Sequence, residues 1–132
     1  MYSFDVTPHA EEDLAHVRGA DRRQAAYIAA HLRELDDDPY RVGETATPGR
    51  SDFAIEKVEP VARLLAERRL NCQLVRYRDV RDWRLIFGVD HRPASARLIL
   101  LAIMPRALDY ADEALWDRVE RDYVDVGLAR LP

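Results

Sequence analysis

Three strand-length segments joined by short turns constrain this chain more than any other feature of its sequence. Asn71–Arg78, Asp82–Asp90 and Arg97–Pro105 carry the β-branched, aromatic and leucine side chains of extended structure. Arg78 to Asp82 supplies the first turn and His91-Arg92-Pro93-Ala94-Ser95 the second. Connections this short leave no room for a parallel crossover, so the three segments predict an antiparallel meander.

The residues before and after the meander read as helices with one opening strand. Tyr2, Phe4 and Val6 alternate with polar residues at the period of a half-buried strand. Thr7-Pro8 then supplies an N-cap followed by Pro at the first helical position, and Glu11, Glu12 and Asp13 suit the positive end of a helix dipole. Ala10, Leu14 and Val17 mark the buried face of this helix, with Gly19 expected to end it. A second helix starts near Asp21 and buries Ala25, Ile28, Leu32 and Leu35, flanked by Ala29, before running out at Asp36-Asp37-Asp38-Pro39. Residues 39–57 hold two Pro and two Gly and read as a loop, with a short helix expected from Glu59 to Arg69. Ala111 to Val124 reads as a last helix, burying Leu115, Trp116, Val119 and Tyr123. The expected architecture is α+β. One domain over residues 1–132 has an N-terminal strand and helical hairpin packed on one face of a small antiparallel sheet, followed by a C-terminal helix. Residues 40–70 form a loop and short-helix insertion.

Composition excludes several function classes. An apolar fraction of 48% supplies a core, so disorder is not expected. The longest apolar run, Leu98 to Pro105, is strand-length, so no membrane span is expected. The Met-Tyr-Ser-Phe-Asp start lacks the features of a secretory signal, and Cys72 has no internal disulfide partner, which points to a reducing cytoplasm. His9, His16, His31 and His91 are scattered, so neither a metal nor another cofactor is expected. Net charge is −4, but it is unevenly spread. Residues 1–60 hold 13 acids against 7 bases, residues 61–106 hold 4 against 10, and residues 107–132 return to an acidic excess. The meander segment is therefore the one region suited to a phosphate-bearing partner. Nineteen of the 20 basic residues are Arg, with Lys57 the exception. This fits bidentate phosphate recognition, or equally a genome that replaces Lys by Arg throughout.

Three positions carry candidate chemistry. Arg84 lies in a strand of mostly apolar residues, Arg106 follows the last strand, and Tyr110 comes four residues later. In a meander the strands carrying Arg84 and Arg106 are neighbours. Their guanidiniums could offset charge on a pentacoordinate phosphate while Tyr110 transfers a proton. Each also has a plainer reading. Arg84 could be a solvated or ion-paired strand residue, Arg106 a partner of Asp109, and Tyr110, Trp83 and Trp116 packing aromatics.

The segment Arg81-Asp82-Trp83-Arg84-Leu85-Ile86-Phe87-Gly88-Val89-Asp90 resembles the GDYRIIYxVD strand of RelE/ParE-superfamily toxins. Leu98 to Arg106 resembles their VxILxIxHR strand, and Tyr110 falls where they have a Tyr shortly after that Arg. Tyr2 to Leu14 resembles their YxVxxTxxAxxDL start, and Leu35 to Pro39 the LxxxP end of their second helix. The likeness runs in order along most of the chain, with residues 45–72 unmatched.

The resemblance implies the toxin of a type II toxin–antitoxin system, held inactive by a cognate antitoxin as a homodimer or a toxin–antitoxin hetero-oligomer. RelE-like members cut mRNA on the ribosome, the substrate's own 2′-hydroxyl attacking the adjacent phosphate. Carried over, Arg84 and Arg106 stabilise the phosphorane, Tyr110 transfers a proton or stacks, and Arg76 and Arg78 bind substrate. ParE-like members share the scaffold but inhibit DNA gyrase without a nuclease constellation, and a domesticated relative would only bind a partner. This chain differs from the ribonucleases in its acidic net charge, its lack of active-site Lys, its longer 40–70 segment, and Met104-Pro105 where a His commonly precedes the Arg.

Overall fold

The computed structural model describes residues 2–90, 92, 97–107 and 112–132. Its first half is set by residues that end one element and begin the next. Strand β1 (Ser3–Val6) runs into Thr7, whose Oγ1 accepts the Ala10 N–H at 3.2 Å and caps helix α1 (Pro8–Ala20). Asp21 then closes α1 through its own N–H and opens helix α2 (Arg22–Asp37) by accepting the Gln24 N–H. Gly19, expected to end the first helix, lies inside it. No left-handed residue is needed where Asp21 satisfies both helix ends.

The same device recurs at the acidic run. Asp38 ends α2 through its N–H and caps helix α3 (Pro39–Thr45) by accepting from Tyr40 N, with Pro39 at the first helical position. The expected loop over residues 39–57 is thus corrected. It holds α3 and the start of strand β2 (Ile55–Pro60). The helix expected from Glu59 is shorter, with α4 spanning Ala62–Arg68. Arg41 is 7% exposed and organises this segment, donating to Asp52 Oδ2 at 2.7 Å and approaching Glu34 at 3.3 Å. Asp52 Oδ1 accepts the N–H groups of Ala54 and Ile55. Burial would raise the Asp52 carboxyl, but the Arg41 bond and those two backbone donors outweigh it and hold it well below the usual carboxylate range.

Strands β3 (Cys72–Tyr77), β4 (Trp83–Val89) and β5 (Arg97–Pro105) form the expected meander, and helix α5 (Glu113–Asp125) follows. Ala111, the expected helix start, and most of the His91–Ser95 turn lie outside the described residues. The sheet is larger than expected and mixed, with order β1-β5-β4-β3-β2. β1 lies parallel to β5, and the remaining neighbours are antiparallel. It is also covered on both faces, which corrects the expected one-sided packing. Helices α1, α2 and α3 bury Leu85, Phe87, Leu98, Leu100 and Ile103, whereas α4 and α5 bury Leu74, Ile86, Ile99, Leu101 and Met104. A bulge changes which residues of β5 face each layer. Ile86 pairs with Ala102 but Phe87 with Leu100, so Leu101 is an extra residue that reverses the inward face along β5. Two-sided burial explains why Leu98–Met104 reads as a continuous apolar run and not as an alternating one.

Among the described residues no strand pairs with the outer edge of β5 beyond Leu100, and an ion pair takes that place. Asp13 of α1 accepts the Ile103 N–H at 3.0 Å, and Arg118 of α5 donates to the Leu101 carbonyl at 3.2 Å. The two side chains meet in a fork of 2.9 and 2.7 Å. The bond to Asp13 outweighs desolvation and raises the Arg118 pKa, fixing the guanidinium in its charged form.

Candidate functional site

The basic residues of the meander gather at one end of the sheet. Arg84, on β4, pairs in register with Met104 on β5. Arg106 follows directly after β5, and its backbone N–H donates to the Asp82 carbonyl at 2.8 Å. Arg84 on β4 and Arg106 just past the end of neighbouring β5 therefore lie at the same end of the sheet, near the β3–β4 turn. Strand alternation places Arg84 on the same face as Ile86, the face that α4 and α5 cover further along the sheet. Arg106 is exposed, and its Nη1 reaches the Arg81 carbonyl at 3.4 Å.

Arg76 joins this group from β3. It lies one residue past the Val75–Leu85 pair, so the register carries it beside Arg84 on the face shared with Leu74. Its Nη2 approaches Glu59 Oε1 at 3.4 Å, while its buried Nε makes no hydrogen bond. Glu59 also takes Lys57 at 2.9 Å, so one carboxylate serves two cations. Three carboxylates of α5 are engaged elsewhere. Glu113, Asp117 and Glu120 pair with Arg63, Arg68 and Arg130 in a belt that ties α4 to α5.

Arg78 does not join Arg76. β3 ends at Tyr77, and the Arg78 guanidinium turns to the segment before β2, donating to the Asp52 carbonyl at 2.9 Å and to Ser51 Oγ at 3.1 Å. It lines a separate groove against α2. Tyr110 lies outside the described residues.

The site has neighbours that sequence reasoning missed. A groove of about 230 Å³ opens beside Pro105 between α1 and α5, lined by Asp13, His16, Trp83, Met104 and Asp112. The His16 ring stands edge-on to Trp83 with centroids 6.5 Å apart. Nothing local in the sequence marks His16, because 67 positions separate it from Trp83 and only the packing of α1 on the sheet brings them together.

Chemically, a row of guanidiniums at a sheet end can bind a phosphate and offset charge that grows on it, since Arg stays protonated at any working pH. It supplies no base. Among the described residues, His16 is the imidazole that lines the groove beside Pro105. In comparison with known proteins, no family model matches the chain, and no curated protein or solved structure aligns with it.

Proposed function

We propose that the chain is a toxin of the RelE/ParE kind, acting as a ribosome-dependent mRNA endonuclease in the cytoplasm and restrained by a cognate antitoxin. The observation that carries this reading is the placement of Arg84 on β4 and Arg106 just past the end of neighbouring β5 at one sheet end, with Arg76 beside Arg84. On this reading the substrate 2′-hydroxyl attacks the adjacent phosphorus, the bond to the 5′-oxygen breaks, and a cyclic phosphate and a 5′-hydroxyl result. Arg84 and Arg106 stabilise the phosphorane, Arg76 holds a flanking phosphate, and Tyr110 moves the proton. The position of Arg78 argues against a share in that same step.

A second reading, inhibition of DNA gyrase without cleavage, is favoured by the net charge of −4, which suits a protein partner better than ribosomal RNA. Induction in a bacterial host separates the two. The nuclease reading expects growth arrest, cleavage of translated messages by primer extension, and no effect on supercoiling by purified gyrase. Arg84→Ala or Arg106→Ala should lower cleavage about 10²–10³-fold with the fold intact. Full toxicity in both variants sinks the assignment.

A further inference from the structure

We propose that a second surface, on the α2 side of the β3–β4 turn, binds single-stranded RNA through Arg23, Arg78, Arg81 and Phe53. The choice of RNA as ligand rests on the reading of the Arg84–Arg106 face given above. A groove of about 420 Å³ separates α2 from the turn, and Arg23, Tyr27, Arg78 and Arg81 line it. Among the described residues, Arg23, Arg78 and Arg81 have no carboxylate within ion-pair distance. Arg23 donates through Nε to the Tyr27 hydroxyl at 2.9 Å, and Arg78 spends its bonds on neutral oxygens. Of the two carboxylates that also line the groove, Asp79 is taken by His31 at 2.7 Å, and Asp21 caps α2 and attracts Arg23 without an ion-pair contact. A guanidinium has five N–H donors, so Arg78 can hold its loop and still contact a phosphate.

Phe53 supplies what a phosphate-only site lacks. It is 95% exposed and sits between Asp52 and Ala54, whose carbonyls accept from the Arg78 side chain and backbone. The turn that presents it is rigid, because Asp52 is locked to buried Arg41 and to the Ala54 and Ile55 N–H groups. The ring itself is free in water on that fixed backbone, so its face is open to a stacking partner beside the Arg78 guanidinium. Its near neighbours Ser51, Asp52 and Arg78 are polar, so it is not the centre of an apolar patch fit for a protein interface. A base stacked on Phe53 with its backbone along the Arg residues matches the way single strands are held, and a duplex hides the base faces that the ring would need.

Fluorescence anisotropy of the full chain with a labelled single-stranded RNA of about a dozen nucleotides tests this. Phe53→Ala should weaken binding roughly tenfold, and the loss should vanish on an abasic strand of the same length. Arg81→Ala should lower the slope of log affinity against log salt by about 0.7. Wild-type affinity and slope in both variants overturn the proposal. So does a wild-type chain that binds no RNA, which would hand the surface to a protein partner. An Arg84→Ala/Arg106→Ala double variant separates the two readings. If it alone loses binding, this surface is refuted and the nuclease face stands. If only Phe53→Ala and Arg81→Ala lose binding, this surface stands and the nuclease face does not.

Discussion

Removing the Asp13 carboxylate should weaken the fold more than a surface ion pair would, because Asp13 does the work of a missing strand. Its two oxygens take the Ile103 N–H and both arms of Arg118, and the side chains of the pair are only 19% and 23% exposed. Asp13→Ala orphans a backbone donor, at about 1–3 kcal/mol, and strands a guanidinium in a half-buried site. A fully buried broken pair costs about 3–5 kcal/mol. Here water reaches about a fifth of each side chain, so that figure is an upper bound, and about 3 kcal/mol is expected for the whole change. Arg118→Ala should cost less, about 2 kcal/mol, because Asp13 can still accept from Ile103. The double variant should fall short of the sum by about 1–2 kcal/mol. Urea unfolding of the four proteins measures these terms, and amide exchange at Ile103 should accelerate in Asp13→Ala. A single-variant loss below about 0.5 kcal/mol, or strict additivity, would refute the view that the pair seals the β5 edge.

Acid should act through Asp52. Its folded-state pKa lies below the unfolded value of 3.8, so its stabilisation is complete above that pH and is lost as pH falls toward the folded pKa. The urea midpoint should therefore drop below about pH 4 in the wild type and fall less steeply in Asp52→Asn; parallel curves would contradict the assignment. Gly88 leaves no room for a side chain, since a Cβ there would meet Leu128 at 2.6 Å and Leu101 at 3.0 Å. Gly88→Ala should lower stability by about 1–2 kcal/mol and loosen the C-terminal tail, seen as faster proteolysis near Leu128, whereas an unchanged melting point would show that Leu128 simply moves aside.

The helices were legible because their information is local. Thr7-Pro8, the Ala25-Ile28-Leu32-Leu35 stripe and the Trp116-Val119-Tyr123 face each lie within a few turns of chain, and the structure buries Ala25, Ile28, Leu32, Leu35, Trp116, Val119 and Tyr123. Asp38-Pro39 was an equally local cap signal, masked by the acidic run before it. The meander followed from its short connections. The opening strand was also legible from its alternation, but its parallel place beside β5 and the existence of β2 were not. β1 joins β5 across more than ninety residues of chain, and β2 is a short edge strand without clean alternation. Sequence by itself thus determined the α+β class, the helix faces and the strand that carries Arg84. Tertiary structure alone decided that Arg76 stands with Arg84 while Arg78 turns away, that an Asp–Arg pair closes β5, and that Phe53 faces water beside a basic groove. The physical reason is that those outcomes depend on register and on contacts between distant segments, where a shift of one residue exchanges the two faces of a strand.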